Sequence, residues 1–76
     1  MKEILETMIL NIVDDRESVS ITEKVEDKTV TYEVKVAEPD MGRVIGKQGR
    51  TAKAIRMVMK SVAGKERKKV VIEFVD

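Results

Sequence analysis

Val44-Ile45-Gly46-Lys47-Gln48-Gly49-Arg50 is the stretch on which the reading of this chain turns. Two glycines flank a polar pair, after an apolar dipeptide and before a basic segment with helical periodicity. Glycine lacks a Cβ, so the backbone can bend sharply at each and another molecule can approach closely. A helix that begins just after Gly49 turns its free N–H groups and the positive end of its dipole toward that bend. Such a place favours a phosphate. With Lys47 and Arg50 alongside, the bend reads as a clamp for a nucleic-acid backbone.

The segments on either side are regular. Downstream, residues 50–63 read as a helix, with Ala52, Ile55, Val58, Met59 and Val62 on one side and Arg50, Lys53, Arg56 and Lys60 on the other. Gly64 suits the position where helices stop. Lys65 to Lys69 form a charged connector, and a strand over residues 70–75 places Val70, Ile72 and Phe74 on one face. Upstream, Asp40 is expected to cap a short helix from Met41 to Ile45, and Pro39 to close the strand before it. Strands are expected at 19–25 and 29–37. Val19, Ile21 and Val25 alternate with polar residues in the first, and Val30, Tyr32, Val34 and Val36 in the second. Glu26-Asp27-Lys28 is a hairpin-length connection. Residues 2–13 repeat apolar side chains at Ile4, Leu5, Met8, Ile9, Ile12 and Val13, the stripe of a helix packed on a core or, less simply, of a partner-binding helix. Asp14 to Glu17 ends that pattern.

The order is α-β-β-α-α-β, an α+β class. The first two strands should pair antiparallel. The third is reached through two helices, which permits a parallel pairing. Three helices would cover one face of a three-stranded mixed sheet. The 76 residues suit one domain. A chain of this size buries only about 60% of the surface its unfolded form exposes.

Charge is distributed unevenly. Residues 1–41 carry 5 Lys/Arg and 11 Asp/Glu, a net of −6; residues 42–76 carry 10 and 3, a net of +7. A chain with a formal net charge of +1 can therefore still bind a polyanion through one half. The alternative is that the halves neutralise each other across the fold. The sequence has no cysteine and no histidine, which leaves no disulfide, no thiolate metal site and no side chain suited to acid–base or nucleophilic work near neutrality. The acids at Asp14, Asp15 and Glu17, and at Glu23, Glu26 and Asp27, fall in turns and on exposed faces. No catalytic residue, metal or cofactor is expected. No signal-peptide pattern or membrane-length apolar run occurs, so the cytoplasm is the expected location.

Gly42-Arg43-Val44-Ile45-Gly46-Lys47-Gln48-Gly49-Arg50-Thr51-Ala52-Lys53-Ala54-Ile55, set in this element order, resembles the signature of a KH domain of the type II arrangement. It is similar to the small single-domain bacterial KH proteins of the KhpA (YlqC) family. The resemblance spans residues 1–76 in length and order and is strongest from about Asp40 to Met59. It implies a protein that holds single-stranded RNA. Gly46, Lys47, Gln48 and Gly49 would map onto the loop that grips about four nucleotides of backbone, with Arg50 beside them. Val44, Ile45, Ala52, Lys53 and Ile55 would map onto the groove next to it, and the second strand onto its other wall. Ala52 is smaller than the aliphatic residue many KH domains carry, which weakens any expectation of sequence-specific reading. The resemblance also implies a homodimer, or a heterodimer with a larger KhpB/Jag-type KH protein, and a part in post-transcriptional control, RNA chaperoning or cell shape.

The residues themselves leave two other readings open. Two helices around a glycine bend also describe a DNA-binding hairpin, although the flanking strands speak against it. A pure adaptor that only dimerises is the other, against which stands the intact glycine pair with Lys47 inside it. The bend lacks the Gly-Lys-Ser/Thr ending of a nucleotide-binding P-loop, since Gly49 is followed by Arg50 and Thr51. Tyr32 and Phe74 are the only aromatics. Both lie on apolar strand faces, so base recognition is expected to rest on aliphatic surface and edge hydrogen bonds, with weak and permissive binding per copy. No membrane and no small-molecule substrate is expected as a partner.

Overall fold

The computed structural model describes residues 1–75, and Asp76 lies outside them. Six elements follow in the expected order: α1 Lys2–Ile12, β1 Ser20–Glu26, β2 Thr29–Lys35, α2 Glu38–Ile45, α3 Arg50–Lys65 and β3 Lys69–Val75. Short 3-10 turns occupy Arg16–Ser18 and Lys47–Gly49. The sheet order is β1-β2-β3, with β1 antiparallel to β2 and β2 parallel to β3.

Alternation on β2 sets the layering. Val30, Tyr32 and Val34 point to one face and are at most 1% exposed. Ile72 on β3 joins them, beneath Leu5 and Ile9 of α1, Val44 of α2, and Ile55 and Met59 of α3. Burying an aliphatic side chain of this kind contributes about 1.5–3 kcal/mol. The other face carries Thr31, Glu33 and the cross-strand pair Lys24–Glu33 at 2.9 Å, as a face open to water should.

The helix layer does not extend over the far end of β1. Val25, expected to be inward, is 57% exposed. Between it and the half-buried Ile21 lies Glu23, which accepts a 2.6 Å hydrogen bond from the Tyr32 hydroxyl. Burial of the ring, and after it that bond, push the Tyr32 phenol well above its ordinary pKa. Val58 on α3, also expected inward, is 43% exposed, and the core side of α3 is Ala52, Ile55, Met59 and Ala63.

Three boundary expectations are corrected. Strand β2 ends at Lys35, and Pro39 lies inside the first turn of α2, where its missing N–H is one the helix would leave unpaired anyway. The helix begins at Glu38, so Asp40 is not its cap. Instead Asp40 is 2% exposed and reaches across the fold. Its carboxylate accepts the backbone N–H groups of Asp14 (3.1 Å) and Asp15 (3.0 Å). Arg43 closes the arrangement, 2.9 Å from Asp14 and 3.8 Å from Asp40. Finally, Gly64 is inside α3 rather than beyond it. The left-handed position belongs to Arg67 (φ 56°). The N–H of Lys68 reaches the Ala63 carbonyl at 2.9 Å, and the N–H of Arg67 reaches that of Gly64 at 3.1 Å, a Schellman closure.

The two backbone hydrogen bonds, assisted by Arg43, hold the Asp40 carboxyl below the usual carboxylate range. A group depressed on folding contributes stability that is complete above its unfolded pKa and is lost as the pH falls through the lower folded value. Asp40→Asn removes the charge and turns an amide donor toward one of the two N–H groups. The expected result is a lower Tm near neutrality and a shallower further loss of Tm from about pH 5 to about pH 2 than the wild type shows. Thermal melts across that range check it; parallel acid limbs would contradict it.

Candidate nucleic-acid interface

Gly46 interrupts the helix rather than merely following it. Its N–H still bonds the Gly42 carbonyl at 2.8 Å, but its φ of 79° and ψ of 171° lie in a region open essentially to glycine alone. That ψ swings the next peptide off the α2 axis, so the N–H groups from Lys47 onward start a new set. Space is short as well. A Cβ on Gly46 would sit 2.7 Å from the Thr51 backbone nitrogen and against its side chain. Gly49 differs. Its φ of 75° and ψ of 13° are left-handed, yet a Cβ there would meet nothing within 4 Å. The first glycine is required by conformation and room; the second is only favoured, by a left-handed conformation that Gln48 and Arg67 also adopt.

Between them, Lys47 and Gln48 are exposed, and Gln48 also takes a positive φ of 58°. Gly49 donates to the Gly46 carbonyl at 3.1 Å, which closes the bend on itself. Arg50 opens α3, and Arg50 and Lys53 are exposed one turn apart. Among the described residues, Lys47, Arg50, Lys53 and Lys60 make no ion pair. Arg43 is the cation of this region that bridges to the acidic half. The two halves therefore do not neutralise each other at the bend, and an unpaired positive surface surrounds it.

The residues expected along the groove separate into two groups. Val44, Ala52 and Ile55 are 0%, 2% and 3% exposed, so they support the bend from beneath and offer no surface of their own. Ile45 is half-buried and Lys53 is exposed. Nor does β2 supply the opposite wall, because it lies mid-sheet with a neighbour on each side. The open edge beside α3 belongs to β3. An open groove of about 660 Å³ runs there from Arg56 toward the C-terminal end of α3, lined by Arg56, Lys60 and Gly64 of the helix, by Lys68, and by Lys69, Val70 and Ile72 of the strand. The sequence contained each of these residues but not the sheet order that makes β3 the edge. Tyr32 is fully buried and Phe74 half-buried against the core, so neither offers an open stacking platform.

No helix among the described residues is long and apolar enough to cross a membrane, and no group of three or more metal-ligating side chains occurs among them.

Comparison with known proteins identifies the family and the fold. The family model of the KhpA/KhpB KH domain matches residues 2–74. The RNA-binding protein KhpA of Clostridium acetobutylicum is 49% identical over 75 residues, covering 99% of this chain and all of the relative. That of Chlamydia pneumoniae is 46% identical over 76 residues, covering 100% and 97%, and that of Listeria monocytogenes 43% over 76 residues, covering both chains fully. Among solved structures, Era in complex with MgGDPNP and nucleotides 1506–1542 of 16S ribosomal RNA superposes with a TM-score of 0.59 at 20% identity, over 95% of this chain and 28% of Era. At that identity the likeness speaks for the fold, a KH-like arrangement of three helices on a three-stranded mixed sheet. With the family model matched from the first helix to the last strand, the chain belongs to the KhpA/KhpB family of KH-domain proteins.

Proposed function

We propose that this protein holds short segments of single-stranded RNA at the Gly46–Gly49 bend. The observation that carries the reading is the bend itself: a glycine-only backbone conformation at Gly46, followed by an exposed pair and unpaired cations at Lys47, Arg50 and Lys53. Relatives at 43–49% identity carry the name RNA-binding protein, which supports the same ligand. The N–H groups of Gly46, Gly49 and Arg50 are bonded within the bend, so the main-chain donors for a phosphate oxygen are those of Lys47 and Gln48, and the start of α3 adds its dipole. Lys47 and Arg50 add charge, and Gln48 a neutral hydrogen bond. The groove toward β3 takes the bases.

A protein that contacts about four nucleotides per copy, without an open aromatic platform, binds weakly alone. Two linked copies gain affinity through effective concentration. A homodimer, or a pairing with a KhpB/Jag-type protein, therefore belongs to the proposal, as do roles in post-transcriptional control or RNA chaperoning. The whole chain acts as one KH domain in this reading, at a cytoplasmic location and without catalysis. The α+β frame around the bend, with a parallel β2–β3 pair, favours this over a DNA-binding hairpin.

Salt and sequence dependence test the phosphate contacts. Lys47→Ala and Arg50→Ala are each expected to weaken binding to all RNA sequences alike, because phosphate contacts carry no base code. Each should make the log–log salt slope shallower by about 0.7. Affinity measurements on several oligoribonucleotides across salt concentrations check this. A loss confined to one sequence, or an unchanged slope, would contradict the assignment, and preferential binding of duplex DNA would favour the hairpin reading.

A further inference from the structure

Arg56 is held in a way that the other exposed cations of α3 are not. Its Nε and one Nη donate to the Ile72 carbonyl at 3.4 and 3.3 Å. Its guanidinium carbon lies 5.4 Å from the centre of the Phe74 ring, within cation–π range. The Ile72 carbonyl is free to accept because of strand parity. In a parallel pair, the N–H and C=O of one residue point to the same side. The Lys69 N–H is spent on the Lys28 carbonyl at 2.8 Å, toward the β2 side, so Val70, Ile72 and Phe74 turn their main-chain groups to the open edge. One side of the guanidinium fork is thus occupied by Ile72, and Phe74 supports its position. The end-on side, built from the two Nη atoms, has no carboxylate partner among the described residues. It borders the groove along β3.

The two contacts to Ile72 are long and share one acceptor, so with Phe74 they orient the fork rather than fix it; a fork so oriented loses less freedom when it binds, and its two parallel donors match a pair of adjacent acceptors. In single-stranded RNA, whose base edges are free, guanine offers that pair at O6 and N7, whereas adenine sets a donor beside its N7. We propose that Arg56, anchored by Ile72 and Phe74 at the β3 edge, reads a guanine entering the groove and gives the protein a base preference. This rests on the single-stranded RNA reading above, with the phosphate clamp at Gly46–Gly49 positioning the strand.

The test uses a uridine oligoribonucleotide of about eight nucleotides, twice the footprint of such a loop, carrying one central guanosine. In parallel strands that position holds 7-deazaguanosine, inosine or adenosine. For the wild-type protein, 7-deazaguanosine and adenosine are expected to weaken binding by about 5- to 10-fold, while inosine, which keeps O6 and N7, is expected to match guanosine. In Arg56→Ala the four strands should bind alike. Arg56→Lys should retain more overall affinity but show the same loss of discrimination, since an ammonium lacks the fork. Equal affinity of wild type for all four strands would overturn the proposal, as would a guanosine preference that survives in Arg56→Ala. A uniform loss for Arg56→Ala, with no discrimination in the wild type, would make Arg56 a phosphate contact and also overturn it. Each of these leaves the clamp intact, because binding to an all-uridine strand and its sensitivity to Lys47→Ala are read in the same experiment. Absence of any RNA binding by the wild type would instead remove the functional reading.

Discussion

Replacing the pair between the glycines by Lys47→Asp and Gln48→Asp is expected to reduce single-stranded RNA affinity by about 100-fold or more while leaving the fold intact. Both side chains are exposed. Aspartate is among the residues that tolerate the positive φ of position 48, and acids at the start of α3 suit its dipole. The fold therefore has no reason to yield. The ligand does. Two carboxylates within about 5 Å of a phosphate each cost roughly 1–3 kcal/mol at an effective dielectric between surface and bulk values, and the Lys47 charge is lost as well. A total of about 3 kcal/mol already exceeds 100-fold. Circular dichroism and thermal melts establish the fold, and titration with labelled RNA reads the affinity. A folded double variant with wild-type affinity would remove the clamp. Aspartates at the glycines themselves would be a poorer test, because Gly46 has no room for any side chain.

That lack of room carries the second large effect. Gly46→Ala is expected to destabilise the protein by about 3 kcal/mol or more, against about 1–2 kcal/mol for Gly49→Ala. The left-handed conformation accounts for the smaller figure. At Gly46 a glycine-only conformation costs about 1–3 kcal/mol, and a Cβ only 2.7 Å from the Thr51 nitrogen must displace the start of α3, adding overpacking of about 1–3 kcal/mol. For 76 residues a total stability of about 4–11 kcal/mol is typical. Each kcal/mol lowers the Tm of so small a domain by about 4–8 °C, so the two variants separate clearly in a melt. Equal melting temperatures for both would show that the crowding against Thr51 is absent in solution.

The element order was legible because local periodicity carries it. Ile4 to Val13 repeats at helical spacing, Val30 to Val36 alternates, and the bend at Gly46 needs glycine whatever surrounds it. What the sequence concealed depends on contacts between distant residues. Asp40 looks like a cap beside Met41, yet its partners are the N–H groups of Asp14 and Asp15. Gly64 looks like a helix terminator, but Arg67 adopts the left-handed turn two carbonyls can use. Val25 and Val58 carry the right spacing and remain exposed, since spacing does not reveal how far a helix layer extends over a sheet. At the site, the bend residues are exposed as their polar character suggested. The expected apolar wall divides instead, with Val44, Ala52 and Ile55 enclosed in the core. The strand that borders the groove is β3 because β2 is central, a consequence of sheet order that alternation along either strand does not encode.

Amide chemical-shift mapping with a short single-stranded oligoribonucleotide tests the central claim most directly, because the proposed clamp presents the main-chain N–H groups of Lys47 and Gln48, those of Gly46, Gly49 and Arg50 being bonded within the bend. The account predicts that the largest and first-saturating shifts fall on residues 46–53, with a second set along Arg56, Lys60 and the β3 edge, and little change on the acidic surface of α1 and β1. Saturating RNA that leaves the amides of Gly46 to Arg50 unmoved, or that perturbs the acidic half instead, would contradict it.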